Sequence, residues 1–139
     1  MYSEYMDFDS RSKEAFNIAQ LGAVLARGQE YLLRLPFDSN GADVLAYNPA
    51  TLKTRPIQVK ARVTISEKYL NRGLFIAFPN WSGETGTRQD WYLLPHDELV
   101  GILGAEKLDE RDGYSARRLS KKQKADLKNF MIGSIDLKG

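Results

Sequence analysis

Residues 41–60, GADVLAYNPATLKTRPIQVK, decide the fold because they predict two neighbouring strands joined by a turn. ADVLAYN is a short apolar run, and the NPAT segment that follows is rich in turn residues. Residues 57–65, IQVKARVTI, alternate apolar and polar side chains, which is typical of a half-buried strand. Gln58 and Lys60 are two positions apart, so the strand places them on one face. If the two strands pair, Asp43 lies near Gln58.

The segments on either side of this stretch predict the remaining elements. A helix is predicted over residues 9–28, capped by Ser10 or Ser12 and ended by Gly28. The other predicted elements are strands at 30–37, 73–81 and 91–95, a helix beginning near Pro95, and a basic amphipathic helix at about 115–133 that has Leu119, Leu127, Phe130 and Met131 available for burial. The order αβββ(β)βαα favours an α/β or α+β fold, with a central mixed sheet flanked by helices.

The composition limits the classes of protein to which the chain could belong. A chain of 139 residues with 42% hydrophobic and 27% charged residues fits one domain, residues 1–139, with its core at about 10–104. There is no cysteine and one histidine, which argues against disulfides and zinc sites. A bound metal would be held by oxygen, as Mg²⁺ or Mn²⁺ prefers. No apolar run approaches membrane-spanning length and no signal peptide opens the chain, so we expect a cytoplasmic location without membrane contact.

Three side chains of the opening stretch have complementary chemistry. Asp43 offers a carboxylate, Gln58 a neutral amide oxygen and Lys60 an ammonium group. A carboxylate and an amide oxygen can bind a hard cation, which polarises a phosphate and lowers the pKa of a bound water. The lysine can orient that water or stabilise charge in the transition state. The residues therefore predict metal-assisted phosphodiester hydrolysis, although an ordinary solvated strand face gives the same alternation.

The stretch also resembles a known family, the PD-(D/E)XK nucleases, which include type II restriction enzymes and archaeal Holliday-junction resolvases. That family has an acid in its first helix, an Asp opening the second strand, and Glu-X-Lys or Gln-X-Lys on the third. Asp43 matches the Asp, and Gln58-Val59-Lys60 matches the Gln form. WYLLPHDEL at residues 91–99 is similar to the strand and proline-led helix of several small members. The resemblance covers about residues 14–103. It implies a restriction-endonuclease-like fold, DNA as substrate, Mg²⁺ or Mn²⁺ as cofactor, and a homodimer.

The resemblance also implies roles for individual residues. Its catalytic set is Asp43, Gln58, Lys60 and Glu14, and its metal ligands are Asp43, Gln58, Glu14 and the Val59 carbonyl. The helix acid of the family would fall at Asn17, one turn after Glu14. Either Glu14 substitutes for it from the neighbouring turn, or the site lacks that carboxylate. Gln58 replaces the commoner Glu, and fewer charges imply weaker Mg²⁺ binding.

Basic residues outside the motif are candidates for contacts with DNA phosphates. They are Arg62, Lys68, Arg72, Arg88, Arg117, Arg118, Lys121 and Lys122, and the last four continue into Lys124 and Lys128. The alternative is a set of solvated surface charges. Trp81 and Trp91 flank a Gly-rich segment and could stack on bases if exposed. His96 follows a proline at a helix start, where a capping or surface role is expected.

Two further functions stay open from the sequence. A catalytically silent nucleic-acid-binding module is favoured by Asn17 and Gln58, which replace acids in the family pattern. A protein-interaction subunit is favoured only by the amphipathic C-terminal segment. The leading hypothesis is the metal-dependent DNA endonuclease.

Overall fold

In a computed structural model, the described residues are 1–39, 41–109 and 111–137, with the backbone alone for residues 36–39. They form a mixed α+β fold with four α-helices and a six-stranded mixed sheet, in agreement with the predicted class. The helices are α1 (Tyr2–Met6), α2 (Ser10–Arg27), α3 (His96–Leu103) and α4 (Lys121–Asp126). The strands are β1 (Tyr31–Ser39), β2 (Ala42–Asn48), β3 (Lys53–Val59), β4 (Thr64–Ser66), β5 (Phe75–Ser82), β6 (Arg88–Pro95), β7 (Gly113–Ser115) and β8 (Met131–Asp136). No helix in this part of the chain is both long and apolar enough to span a bilayer.

The main sheet has the strand order β1-β2-β3-β5-β6-β8, and only β3 and β5 run parallel. The predicted pairing of β2 with β3 is confirmed, with Val44 opposite Ile57. The predicted bounds of the third strand are wrong, since β3 ends at Val59 instead of continuing to residue 65. Beyond Lys60 the chain leaves the main sheet and forms β4, which pairs with β7 in a separate two-stranded sheet.

Apolar layers cover both faces of the main sheet. On one face, α2 packs Leu21, Val24 and Leu25 onto the sheet, around Ile57 and Trp91. On the other face, α3 packs against β5 and β6. The same cluster includes Ile65 of β4, and Leu119 and Leu127 on either side of α4. Neither predicted cap, Ser10 or Ser12, is the N-cap of α2. The cap is Asp9, whose carboxylate accepts a hydrogen bond from the Ser12 N–H at 2.7 Å.

The predicted helix over residues 115–133 is wrong. The Ser120 and Gln123 side chains form a capping box that starts α4, which is only six residues long, and β8 follows it. Residues 131–136 have the sequence MIGSID, and its glycine and two isoleucines are poorer helix formers than alanine or leucine. As a strand, β8 satisfies the backbone groups along the edge of β6. The predicted order αβββ(β)βαα is therefore wrong at its C-terminal end.

The prediction of a capping or surface role for His96 is also wrong, because the residue is fully buried. Its Nε2 accepts a hydrogen bond from the Ser66 N–H at 3.1 Å, so this nitrogen carries no proton. The other ring nitrogen, Nδ1, lies 3.1 Å from the Asp97 carboxylate and donates to it. Burial lowers the pKa of His96 below its usual 6.5, and the Asp97 carboxylate offsets part of this effect.

We expect this neutral histidine to make stability depend on pH. The folded-state pKa is lowered, so the unfolded chain binds the proton more readily and the free energy of unfolding rises with pH. The contribution is complete above pH 6.5 and is lost as the pH falls below it. Urea unfolding between pH 7.5 and pH 5.5 measures this slope. His96 is the single histidine of the chain, so His96→Gln should flatten the slope, and an unchanged slope in that variant would contradict the assignment.

Candidate functional site

The residues implicated by the sequence line one cleft of about 340 Å³, between the first half of α2, the start of β2 and the end of β3. We call it the site cleft. Its lining residues are Ser10, Lys13, Glu14, Asn17, Asp43, Gln58, Val59, Lys60 and Ala61. The topology therefore brings together all five residues of the predicted catalytic and metal-ligand sets, which are separated by up to 46 positions in the chain.

Asp43 is fixed between the two strands. Its Oδ2 accepts a hydrogen bond from the Val59 N–H at 3.0 Å. The pairing of Val44 with Ile57, continued by one residue, sets Asp43 opposite Gln58 on the same face. In an extended residue the N–H and the C=O point to the same strand edge, so the Val59 carbonyl is on the edge that carries Asp43. The carboxylate, the carbonyl and the Gln58 side chain are thus neighbours at the end of the β2–β3 ladder.

Gln58 has an unusual environment for an amide. Gln58 is 8% exposed, and its side-chain oxygen, Oε1, accepts no hydrogen bond from any described residue. A buried oxygen without a donor costs about 1–3 kcal/mol of folding stability. In native proteins such an atom commonly has a water, an ion or a ligand as its partner. The Gln58 oxygen is therefore the atom of the site cleft that most clearly lacks a partner within the described chain.

Lys60 stands at the boundary of the site cleft. Its backbone N–H donates to the Ala77 carbonyl at 2.9 Å, which continues the β3–β5 ladder by one residue and fixes the start of the side chain. Its Nζ lies 5.4 Å from the centroid of the Tyr69 ring, within the range of a cation–π contact. Within the described residues the ammonium has no carboxylate partner within 4 Å. Its charge is therefore not neutralised by any carboxylate that the structure describes.

Asn17 is engaged in a buried hydrogen-bond chain that the sequence did not reveal. Its Nδ2 donates to the Tyr5 hydroxyl at 2.8 Å, and its Oδ1 accepts from Gln89 Nε2 at 3.5 Å. The Gln89 Oε1 in turn accepts from the Trp91 indole N–H at 3.1 Å. An amide suits this position because it donates and accepts at once, whereas a carboxylate would carry a buried charge. These hydrogen bonds explain why an amide, and not an acid, occupies the position of the family's helix carboxylate.

The carboxylates of the site cleft are few. Glu14 is exposed on the first part of α2, and Asp43 is half-buried. Over the described ranges, no group of three or more acidic, histidine or cysteine side chains is arranged to hold a metal. A cation here would have two carboxylates at most, supplemented by neutral oxygens.

Three other clefts adjoin the site cleft and share lining residues with it or with one another. The tyrosine cleft, about 400 Å³ between Tyr69 and Tyr114, shares Lys60 with the site cleft. The bridging cleft, about 320 Å³, shares Lys13 and Ala61 with it. The distal cleft, about 670 Å³, shares Tyr2, Trp81 and Arg117 with the bridging cleft, and it is the largest of the four. The shared residues place the clefts next to one another in the order tyrosine, site, bridging and distal, and we call the four together the groove.

This groove is strongly basic except at the site cleft. The cations that line it are Lys13, Lys60, Arg62, Lys68, Arg111, Arg117, Arg118 and Lys124. Its acids, among the described lining residues, are Glu14 and Asp43, and both line the site cleft. A groove of this kind attracts polyanions along its length, and the two acids confine local repulsion to the site cleft, where Lys13 and Lys60 offset it.

Four of the eight residues predicted to contact DNA line the groove, namely Arg62, Lys68, Arg117 and Arg118. Three of the others, Arg72, Lys121 and Lys122, are exposed outside these clefts. Arg88 forms an ion pair with Asp90 at 3.0 Å, so its charge is neutralised locally. Two cations of the groove, Lys13 and Arg111, were not among the sequence candidates. No local pattern marks them, because only the tertiary fold brings them to the groove.

The two tryptophans differ in exposure. Trp91 is fully buried beneath α2 and is therefore excluded from stacking on a base. Trp81 is half-buried and lines both the bridging and the distal cleft. Its ring packs with Phe16, Tyr2 and Tyr5.

Comparisons with known proteins do not place the chain in a family: no protein-family model, no curated protein and no solved structure matches it.

Proposed function

We propose that the chain is a metal-dependent DNA endonuclease with a restriction-endonuclease-like fold. The observation that carries the proposal is the clustering of Asp43, Gln58, Val59 and Lys60 in one cleft, where the buried Gln58 oxygen accepts no hydrogen bond from any residue that the structure describes. The resemblance of this stretch to the PD-(D/E)XK nucleases supplies the reaction, which is hydrolysis of a phosphodiester bond. The basic groove on both sides of the site cleft supports a polyanionic substrate.

The donor atoms of the site cleft fit a hard divalent cation. Mg²⁺ and Mn²⁺ prefer oxygen ligands, and the cleft offers the Asp43 carboxylate, the Gln58 Oε1, the Val59 carbonyl and the Glu14 carboxylate. The specific indication is the buried Gln58 oxygen, which has no donor within the described part of the chain and which a cation would satisfy. When bound, the ion would polarise the scissile phosphate and lower the pKa of a water molecule.

Side chains of the protein orient the attacking water, stabilise charge and bind the neighbouring phosphates. Lys60 orients the attacking water and stabilises negative charge on the phosphate, because its ammonium has no carboxylate partner among the described residues. Asp43 is held in place by the Val59 N–H, so its position does not depend on the substrate. Lys13, Arg62 and Lys68 bind phosphates next to the scissile one. A homodimer would present two such sites to the two strands of a duplex.

A catalytically silent nucleic-acid-binding module is the second candidate. It is favoured by the engagement of Asn17 with Tyr5 and Gln89, which removes the position of the helix acid from metal binding. A protein-interaction subunit is the third hypothesis, and the described contacts do not favour it over the other two. Its only indication was the amphipathic C-terminal segment, and that segment buries Leu119 and Leu127 in the core of the protein itself.

Supercoiled plasmid DNA separates the first two candidates. We expect relaxation and linearisation in millimolar Mn²⁺ or Mg²⁺ and none in EDTA, with a higher metal requirement for Mg²⁺ because it gives up its waters reluctantly. Agarose gels measure the products, and gel shifts of the same DNA in EDTA measure binding. Salt-sensitive binding without cleavage in either metal would support the silent module instead.

A further inference from the structure

We propose that the distal cleft binds an unpaired strand, so that the substrate is DNA with a single-stranded extension or branch next to the duplex. This inference rests on the proposed function for its substrate and adds a binding site that the catalytic residues do not define. The distal cleft lies at the far end of the groove from the tyrosine cleft, beyond the bridging cleft.

The distal cleft has the charge that a phosphate backbone requires. Arg117, Arg118 and Lys124 line it, and none of its described lining residues is acidic. Arg118 and Lys124 are exposed and form no ion pair with a described carboxylate. An apolar protein partner would have to desolvate these three cations without compensation, whereas phosphates would pair with them.

Aromatic surface distinguishes this cleft from a site for duplex DNA. Tyr2 and Trp81 line it together with the three cations. Unpaired bases can lay their flat faces on aromatic rings, whereas the faces of bases in a duplex are covered by their neighbours. Cations that follow a backbone, combined with aromatic rings, are the common features of sites for single strands.

The aromatic wall is held in place before any ligand arrives. The Arg117 Nε donates to the Tyr2 hydroxyl at 3.2 Å, and its guanidinium lies 5.9 Å from the Tyr2 ring centroid. Trp81 is fixed by packing with Tyr5 at 5.0 Å and with Phe16 at 6.4 Å between ring centroids. Gly86 is required beneath α1, because an added Cβ there would lie 2.6 Å from the Cβ of Tyr2. A rigid wall loses little conformational entropy on binding.

The size and position of the cleft agree with this ligand. A volume of about 670 Å³ falls within the range of clefts that hold small organic ligands, about 300–1,000 Å³. The bridging cleft lies between the distal cleft and the site cleft, and Lys13 and Arg62 line it. Phosphates between the two sites therefore have cations along their path.

The test compares two DNA ligands, a blunt duplex and the same duplex with a ten-nucleotide single-stranded extension. Fluorescence anisotropy of labelled DNA in EDTA measures binding without cleavage. We expect the extension to tighten binding by about tenfold or more, the contribution of stacking one base on an aromatic ring. Arg118→Gln with Lys124→Gln should remove most of this preference. It should also lower the salt slope for the extended DNA by about 1.4, or 0.7 for each of two lost contacts with a single strand.

The matched control is Arg34→Gln with Lys53→Gln, which removes one arginine and one lysine charge from exposed positions that line none of the four clefts. The control should keep the preference for extended DNA. Equal losses in the two double variants, or equal affinity of the unmodified chain for blunt and extended DNA, would overturn the proposal. Cleavage is assayed separately on a blunt duplex in Mn²⁺. Cleavage there without a preference for the extension refutes the distal site alone, and a preference without cleavage refutes the endonuclease alone.

Tryptophan fluorescence gives an independent readout. The chain has two tryptophans, and Trp91 is fully buried, so quenching by DNA reports on Trp81. We expect the extended DNA to quench the emission and the blunt duplex to leave it nearly unchanged. Equal quenching by the two ligands, or none by the extended one, would contradict the assignment of Trp81 to the wall of a single-strand site.

Discussion

Asp43→Asn is expected to reduce metal-dependent cleavage of plasmid DNA by at least about a hundredfold. The substitution removes one of the two carboxylates of the site cleft and the only one fixed by a hydrogen bond to Val59. Loss of a charged ligand weakens the binding of a hard cation, and metal-assisted charge stabilisation contributes several kcal/mol to such reactions. Each 1.36 kcal/mol corresponds to a factor of ten in rate.

The variant is chosen to leave the fold intact. An asparagine oxygen can still accept the hydrogen bond from the Val59 N–H, so the end of the β2–β3 ladder keeps its contact. Asp126→Asn is the matched control, because Asp126 is exposed on α4 and lines none of the four clefts. Initial rates of plasmid relaxation and thermal unfolding are measured for both variants. Full activity in Asp43→Asn at saturating metal would refute the proposed site.

The same assay tests Lys60. Lys60→Ala should lower the cleavage rate by about 10²–10³, the usual effect of removing one group that stabilises transition-state charge. Lys53→Ala is its control, since Lys53 is exposed at the start of β3 and Lys60 directly follows the end of that strand. Unlike Asp43→Asn, Lys60→Ala should leave the metal concentration for half-maximal activity unchanged. A shift of that concentration would place Lys60 in metal binding.

The local elements of the fold could be predicted because their signals lie in adjacent residues. The bounds of β2 agree with the predicted strand at ADVLAYN, and α2 ends at Gly28 as predicted. The pairing of β2 with β3 follows from the short turn between them. The amino-acid sequence is therefore sufficient to assign Asp43 and Gln58 to neighbouring positions.

The remaining features depend on contacts between distant segments. The first nine residues have mixed polarity, yet Tyr5 among them is buried, because its hydroxyl accepts a hydrogen bond from Asn17 and its ring packs on Trp81. The groove assembles Lys13 and Arg111 from opposite ends of the chain, so no local pattern could reveal it. The signal for the Asn17 network is a polar residue on the apolar side of a helix, which equally fits a ligand or a structural hydrogen bond.

The role of the C-terminal segment leads to the largest expected effect on stability. Leu127→Ala should lower the free energy of unfolding by about 2–5 kcal/mol, because Leu127 is completely buried and the substitution leaves a cavity. The sequence predicts a basic amphipathic helix here, with Leu127 among the residues available for burial. A leucine left on the surface of such a helix would lose far less. Leu127 instead packs in the same cluster as Phe78, Leu94 and Leu99, between α4 and β8.

Leu52→Ala is the matched control, because it is the same substitution at a side chain that is 75% exposed in the turn between β2 and β3. It should change the free energy of unfolding by less than about 0.5 kcal/mol, as surface substitutions usually do. Urea denaturation followed by tryptophan fluorescence measures both variants. β8 begins at Met131, shortly after Leu127, and pairs with the edge of β6. A large loss of unfolding free energy in Leu127→Ala therefore means that the C-terminal segment folds with the sheet. Equal small losses in the two variants would mean that it is a separate surface element, and the contacts of Leu127 with the core would then be wrong.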